Sequence, residues 1–497
     1  MKITNFSGGL NTRVASELIN SNEAVLCENV DLSSNFLAPI KSLGLTEVST
    51  LKNPYYNVVD KTWWPDADLR SYLNYKQYLY WTDGSIAKKY LKGQTQDLGI
   101  DKPILIDATL GGAGNLTGTI QYVYTYYNSL DGTESQPSLL SPEVVATSNV
   151  INVALTASAD SQVTNIFLYR IGGGLTSYVR VAEEQNITQL YTDNLSDIDA
   201  VGPGLDSTLN GKAPFGLKYL TEGGGIFFGV VGSRLYFSRP GGNPNYWTPT
   251  DYLEFNLDIT GIGITPNGLA VFTKTQTFLV VGNSNTTFRS YLISGSLGCT
   301  NHKTIVQFNN SLLFISLDGV CSLVGSKVTV ISKFKLGKIA FDTVNAVVYD
   351  EAYLCQLADN SILVLDLKYT PAFKYYNLNT TWLAVAEDTL YGYTTALYPF
   401  FTDTPKTYLY QTGNLTEGNP AELKIYSRIY FAIKGVCTVT VYLDEQEITN
   451  KTFTNPTAPV SISIPQDQQR AMSISFKIEG TAIVKQIVYP VKRAENA

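Results

Sequence analysis

Leu313-Phe314-Ile315, followed by Asp318-Gly319 and a second apolar run that ends at Gly325, is the stretch that decides the fold. It has the pattern of two short strands joined by a tight turn, because Asp and Gly readily adopt turn conformations. Similar apolar runs lie on both sides of it, and one aromatic or leucine residue marks each run. The five markers are Tyr236, Phe272, Phe314, Leu354 and Tyr391.

The markers recur at steps of 36, 42, 40 and 37 residues. A period of about 40 residues that consists of short strands and turns is typical of a β-propeller blade. Blades bury their faces only against neighbouring blades, so an array of them must close on itself. We therefore predict an all-β fold that contains a β-propeller of six to seven blades.

The composition favours an all-β chain with several cores. The 497 residues include 33 Tyr and 39 Gly, and only 16% of them are charged. Tyr favours strands and Gly favours turns, whereas a low charged fraction argues against coiled coils, helical bundles and disordered chains. The net charge of −7 argues against a protein that binds nucleic acid through its charge.

The spacing also predicts an insertion within the propeller. Tyr80 lies in an earlier run of the same kind, but it is 156 residues before Tyr236, which is too far for one blade. Residues 103–212 have their own strand pattern, and their size suits an immunoglobulin- or fibronectin-like sandwich. Without these 110 residues, the step from Tyr80 to Tyr236 is 46 residues, which is about the length of one blade. The predicted domains are 1–102 with an N-terminal docking arm, a short helix and the first blades, 103–212 as the inserted fibronectin-like β-sandwich, 213–416 with the remaining blades, and 417–497 as a C-terminal β-sandwich.

The two ends of the chain have different patterns. Ser21-Asn22-Glu23-Ala24 offers a cap followed by good helix formers, so we expect one short helix within residues 10–32. From about Glu417 onward, apolar and polar residues alternate, which indicates sheets with one buried face.

Targeting signals are not recognised in this sequence. No run reaches about 18 apolar residues, so no membrane-spanning helix is predicted. The first nine residues lack the apolar region of a secretory signal. Five scattered cysteines indicate reduced, buried thiols in a protein made in a cytoplasm.

Two patterns are candidates for chemistry. Cys299 and His302 have the spacing of half a zinc site, but no second pair lies near them, so we favour a buried thiol beside a loop histidine. The lone histidine argues against Ser-His-Asp and Cys-His catalysis. Asp251 and Glu254, near Trp247, are the acids that a glycoside-cleaving propeller would need, but a spacing of three places them on opposite faces of a strand. We predict no enzyme activity, no cofactor and no metal.

Six stretches share a pattern with a known family: Phe6-Ser7-Gly8-Gly9-Leu10-Asn11-Thr12-Arg13, Glu28-Asn29-Val30-Asp31-Leu32, Asn245-Tyr246-Trp247-Thr248-Pro249, the segment from Gly298-Cys299-Thr300 to Leu317-Asp318-Gly319-Val320, and, in the insertion, Asp131-Gly132-Thr133-Glu134-Ser135 and Leu168-Tyr169-Arg170. In these stretches the chain resembles the tail nozzle proteins of short-tailed bacteriophages, also called tail tubular protein B or stabilisation protein. It departs from the family at Pro39-Ile40-Lys41-Ser42-Leu43-Gly44, where an Arg-x-Gly is usual.

The resemblance implies a structural virion protein that is synthesised in the host cytoplasm. Nozzle proteins form a ring, commonly a hexamer, below the connector, and the ring lines and gates the DNA exit channel. The implied partners are further copies of the chain, tail adaptor or connector proteins, tail fibres, and genomic DNA that passes without specific binding. The alternative function is a carbohydrate-binding or glycoside-cleaving propeller of a phage fibre or cell surface.

Two stretches outside the expected core are candidate interfaces. The segment from Phe6 to Arg13 is too polar for a core strand, so it is either a frayed terminus or, as the family likeness favours, a docking arm. Trp63-Trp64-Pro65 lies in a loop-like stretch. The predicted interface residues are Phe6, Asn11, Arg13, Trp63 and Trp64.

Overall fold

The computed structural model describes residues 1–67, 70–104, 106–239, 244–368 and 371–493. Strands dominate this part of the chain, and its helices are short: the 3-10 helices Ser16–Leu18, His302–Thr304 and Gln466–Gln468, and the α-helix Lys333–Leu336. None of the helices in these ranges is long and apolar enough to cross a membrane. The chain forms two compact units, residues 1–68 with 265–279 and 292–497, and residues 69–264 with 280–291.

Six antiparallel meanders, which we call sheets A to F, repeat along the described chain, and in each the strands pair in sequence order. Their strands are Ser71–Tyr75, Tyr78–Thr82, Lys88–Leu91 and Gln94–Asp97 in A; Lys218–Gly223, Ile226–Val231, Arg234–Ser238 and Trp247–Glu254 in B; Ile259–Thr265, Gly268–Thr273, Thr277–Val281 and Arg289–Ser294 in C; Val306–Phe308, Ser311–Ser316, Gly319–Val324 and Lys327–Val330 in D; Thr343–Tyr349, Ala352–Leu357, Ile362–Asp366 and Ala372–Tyr376 in E; and Trp382–Ala386, Thr389–Tyr393 and Leu397–Pro399 in F. Meanders of this kind are the blades of β-propellers, so the prediction of an all-β, propeller-type fold is confirmed.

Four of the five sequence markers occupy the same strand of their sheets. The second strands of C, D, E and F contain Phe272, Phe314, Leu354 and Tyr391 respectively. Tyr236 lies in the third strand of sheet B, so its assignment as an equivalent marker is wrong. Phe228 is in the second strand of B, and its step to Phe272 is 44 residues. The error arose because the second and third strands of a blade are both apolar.

Apolar side chains from neighbouring blades form a shared core. The rings of Phe272 and Phe314 lie 4.6 Å apart, and both are fully buried. Cys299 and Cys321 belong to the same cluster. All five cysteines are buried and free, in agreement with the prediction of reduced thiols. Burial of each Phe contributes about 1.5 to 3 kcal/mol to folding.

The insertion is one six-stranded antiparallel sheet with long strands. The strand order is Leu175–Gln185, Asn165–Gly172, Asp107–Asn128, Val144–Leu155 and Gln189–Asp193, with Thr133–Glu134 paired to the long strand. The sequence pattern predicted only short strands, but Asp107–Asn128 has 22 residues. It passes through register shifts between Leu110 and Thr117, where its glycines accommodate the irregular backbone. Tyr122, Tyr124 and Tyr126 are buried on one face of this strand.

The remaining strands form the sheets that contain both chain ends. Sheet E continues, through its last strand, into Glu23–Glu28, Tyr408–Thr412, Ile474–Gly480, Val436–Leu443 and Gln446–Thr454, with Gly9–Leu10 beside Glu23–Glu28. A second sheet has the order Lys2–Ile3, Ile483–Val488, Arg428–Lys434 and Val460–Ser463. The small sheets are Arg470–Ala471 with Lys424–Tyr426 and Val491–Arg493, Val30–Asp31 with Ala38–Pro39, and Pro54–Asn57 with Thr62–Pro65.

The predicted N-terminal helix is wrong. Glu23–Glu28 is a strand that pairs with Tyr408–Thr412, and the only helical turn nearby is the three-residue Ser16–Leu18. Ala24 and Cys27 are buried in the large core of this unit, so strand pairing across nearly 400 residues overrides local helix propensity. The sheets of the C-terminal region also contain strands from residues 2–28 and 408–412. The predicted C-terminal domain, which begins at residue 417, does not include these strands.

Candidate functional site

A polar cluster of buried and half-buried residues, which we call the junction, fixes the insertion to sheets A and B. It consists of Lys89, Asp131, Glu134, Asn245 and Tyr246. Lys89 belongs to the third strand of sheet A and is 1% exposed. Its ammonium donates a hydrogen bond to the Asp131 carboxylate and lies 3.3 Å from Asn245 Oδ1. An ammonium is therefore held by one group from the insertion and one from the segment before the last strand of sheet B.

The phenol of Tyr246 makes the second contact of the junction. Its hydroxyl donates to the carbonyl oxygen of Gly132 at 3.0 Å and accepts from the Glu134 backbone N–H at 3.1 Å. The Glu134 carboxylate in turn accepts from the hydroxyl groups of Tyr169 at 2.9 Å and Thr125 at 2.7 Å. The turn at 131–134 is thus bound from both sides.

The electrostatics of the junction depend on its burial. Burial lowers the pKa of Lys89 from its ordinary value, while the Asp131 carboxylate opposes that shift. Loss of one partner would leave the other buried without its counter-charge, which costs about 3 to 5 kcal/mol. The junction therefore resists separation of the insertion from the blades.

The two connections of the insertion are also tied together. Lys212 Nζ lies 2.7 Å from an Asp97 carboxylate oxygen and 2.9 Å from one of Asp101. Gly99, between those acids, has φ +91°, and a Cβ there would lie 2.8 Å from Lys212 Cα. Glycine is thus required where the entering and leaving chains approach each other.

The structure corrects the predicted docking arm at Phe6 and Asn11. Phe6 is 0% exposed and packs edge-on against Tyr410 at 5.7 Å, so it is a core residue. Asn11 Nδ2 donates a hydrogen bond to Glu23 Oε2 at 2.9 Å, and the Asn11 backbone N–H donates one to the carbonyl oxygen of Ala24 at 2.8 Å. The segment is polar yet buried because its polar groups have partners within the chain, and neither residue is available to dock on another protein.

Arg13, Trp63 and Trp64 remain predicted interface residues. Arg13 is exposed, and its guanidinium carbon lies 5.4 Å from the ring centre of Phe334. The tryptophans are half-buried in the strand Thr62–Pro65 rather than in a loop. Trp63 packs at 5.3 Å against Tyr391, and Trp64 Nε1 donates to Thr62 Oγ1 at 3.1 Å.

The structure does not pair the two candidate acids. Glu254 is at the end of the last strand of sheet B, 3.3 Å from Arg234 Nε. Asp251 lies three residues earlier and accepts from Asn285 Nδ2 at 3.5 Å. In a strand this spacing directs the two side chains to opposite faces.

His302 is part of a helical turn beside Cys299. The thiol of Cys299 donates to the carbonyl oxygen of Asn301 at 3.2 Å, and burial raises its pKa to about 12. Among the described residues, no group of three or more His, Cys, Asp and Glu side chains could hold a metal ion.

Comparisons with known proteins add little. No protein-family model and no curated protein matches the chain. Among solved structures, it is similar to the computationally designed Ika8 protein, with 11% identity, 73% of this chain and 99% of that chain covered, and a TM-score of 0.27. BamB from Moraxella catarrhalis is 12% identical, with 59% of this chain and 93% of that chain covered and a TM-score of 0.26. Hsv2 from Kluyvelomyces marxianus is 12% identical, with 54% of this chain and 90% of that chain covered and a TM-score of 0.26. Scores this low carry no argument, so the fold assignment depends on the sheets described above.

Proposed function

We propose that this chain is a structural subunit of a bacteriophage tail nozzle. One observation carries the proposal. Two stretches that resemble the nozzle family, 131–135 and 245–249, are more than 100 residues apart in sequence and contact each other at the junction. The family-like residues therefore build one feature, the attachment of the insertion, rather than being scattered matches.

The N-terminal stretch supports the same proposal. Phe6 to Arg13 and Glu28 to Leu32 also resemble the family, and Phe6, Leu10, Val30 and Leu32 from these stretches belong to the core of their unit. Gly9 has φ +65°, and a Cβ there would lie 2.7 Å from the Phe373 carbonyl oxygen. The structure therefore explains why glycine occupies this position, because a larger residue would displace the neighbouring strand.

The proposed mechanism is mechanical. A ring of copies would place rigid sheets around a channel, and loops at the channel would gate the DNA. A net charge of −7 suits a channel that DNA passes without being held, because tight binding to phosphate requires clusters of Lys and Arg. A closed ring needs heterologous interfaces, in which two different patches of each copy meet.

The insertion carries exposed apolar side chains that suit such contacts. Those of the insertion and its connections include Ile104, Leu130, Leu139, Val145, Ile198 and Val201.

Negative-stain microscopy of the purified chain mixed with its connector tests the proposal. We expect rings of the chain attached to one face of the connector. Monomers that never join the connector, at concentrations where the chain remains folded, would contradict the proposed role.

A further inference from the structure

A cleft of about 440 Å³ lies on one face of sheet E. Its floor is a cross-strand row in which Leu354 pairs with Val364 and Val364 pairs with Lys374. Asp31, Ser33, Pro39, Ile40, Lys41 and Phe401 also line the cleft. The volume is within the range of about 300 to 1,000 Å³ that is usual for sites that bind small molecules.

Lys374 is the unusual member of the row. Its cross-strand partner, Val364, is apolar, and Lys374 is 4% exposed. Its Nζ lies 3.6 Å from Asp366 Oδ2, an ion pair that is longer than a hydrogen bond. A buried ion pair is often no more stabilising than a packed apolar residue of similar size, so stability alone gives no reason for a lysine here.

The groups around Lys374 define the chemistry of a ligand. Asp31 and Asp366 line the cleft with acceptor oxygens, and Lys374 supplies donors. Tyr349 and Phe401 contribute aromatic side chains to the walls, and Tyr376 lies below the lysine with its ring centre 5.6 Å from Nζ. The cleft therefore combines hydrogen-bonding groups of both kinds with aromatic surface.

The charges of the cleft favour a neutral ligand. Three acids, Asp31, Asp350 and Asp366, are balanced by three bases, Lys41, Lys368 and Lys374. A strongly anionic or cationic ligand would meet as many like charges as opposite ones. A hydroxyl group, in contrast, can donate to a carboxylate and accept from an ammonium at the same time.

We propose that the cleft on sheet E binds a saccharide unit through Asp31, Asp366 and Lys374, with the sugar ring packed on the aromatic walls. This site is distinct from Asp251 and Glu254, and it requires no hydrolysis. It does not depend on the nozzle proposal, because saccharide binding could fail while rings still form on the connector, and the reverse outcome is equally distinguishable.

Saturation-transfer NMR with the full chain tests the proposal, with glucose, galactose, N-acetylglucosamine and maltose as separate probes. We expect at least one probe to bind. Lys374→Met and Asp366→Asn should each weaken it about tenfold or more, because each removes charge-assisted hydrogen bonds. Lys327→Met, an exposed lysine outside the cleft, is the matched control and should bind as the unmodified chain does.

Thermal unfolding of each variant establishes that it is folded, and Asp366→Asn alone suffices if Lys374→Met fails to fold. Spermidine is added as a charged probe. Three outcomes would overturn the proposal: none of the four sugars binds the folded chain, a sugar binds equally well to the folded cleft variants, or only spermidine binds in a manner sensitive to Asp366→Asn.

Discussion

At the scale of single residues, the chain places several charged side chains in the core and pairs them there with opposite charges. Glu23 is buried, and its carboxylate accepts hydrogen bonds from Lys335, Asn11 and the Asn20 backbone. Arg170 is fully buried between Asp193, at 2.7 Å, and Asp197, at 2.9 Å. Such groups specify one arrangement, because any other leaves a charge unpaired.

The first prediction concerns Glu23. Burial raises its pKa, but the hydrogen bonds from Lys335, Asn11 and Asn20 outweigh burial, and the net pKa is lowered. A carboxyl group with a lowered folded pKa stabilises the fold above its unfolded pKa, and this contribution is lost as the pH falls through the folded value. Glu23→Gln should reduce the free energy of unfolding by about 2 to 3 kcal/mol at neutral pH.

Denaturant titration across pH measures this effect. The difference between Glu23→Gln and the unmodified chain should shrink below pH 4.5, the ordinary value for Glu. Glu47→Gln, at an exposed position of the same unit, should leave the midpoint unchanged. If Glu23→Gln lowers the free energy of unfolding by the same amount at every pH, the ion-pair explanation is contradicted.

The second prediction uses His302, the single histidine of the chain. Burial, together with the charge of Lys303, lowers its pKa to about 3. The unfolded chain therefore binds a proton at His302 more readily than the folded chain does, so stability should fall as the pH decreases from about 6.5 towards 3. The imidazole NMR signal of the folded chain should not shift between about pH 8 and 5.

A His302→Gln variant is the control for the stability measurement, since it should lose this part of the pH dependence. An imidazole signal that titrates with a midpoint near 6.5 in the folded chain would show that the ring is not desolvated.

At the scale of elements, the repeat could be predicted and its register could not. Apolar runs and turn residues indicate a meander of about 40 residues, and sheets B to F follow that period. Apolar periodicity does not distinguish the second strand of a blade from the third, so the sequence pattern alone does not place Tyr236 in the third strand of sheet B. The local sequence of Glu23–Glu28 does not predict a strand, because the partner strand, Tyr408–Thr412, is remote in sequence.

The junction could not be predicted either, for a related reason. Lys88 and Lys89 are adjacent, and both occur in a strand pattern. Lys88 makes a partly exposed ion pair with Asp97 at 2.5 Å, whereas Lys89 is buried against Asp131. Only the position of the insertion, which begins some 14 residues later, decides which of the two is buried.

The third prediction compares these two lysines. Lys89→Met should leave Asp131 buried without a counter-charge and cost about 3 to 5 kcal/mol, whereas Lys88→Met should cost about 1 kcal/mol or less. Hydrogen exchange should accelerate at 128–135 and 245–247 in Lys89→Met. The same region should stay protected in Lys88→Met.

The double variant Lys89→Met, Asp131→Asn checks the cause. It removes both charges, so part of the lost protection should return. Equal protection in Lys89→Met and Lys88→Met would mean that the junction does not hold the insertion.

At the scale of the whole molecule, each unit is all-β and has large buried cores, and the chain carries few charges. These properties suit a part that must stay rigid while DNA passes. The nozzle proposal itself depends on the family-like stretches 131–135 and 245–249, which meet at the junction.

Labelling of phage particles with antibodies against the chain tests the nozzle proposal most directly. Gold-labelled antibody fragments raised against the insertion would be imaged on intact particles by electron cryomicroscopy. We predict label on a ring at the distal end of the tail, below the connector. Label confined to fibres or capsid, or particles that lack the chain altogether, would contradict the account.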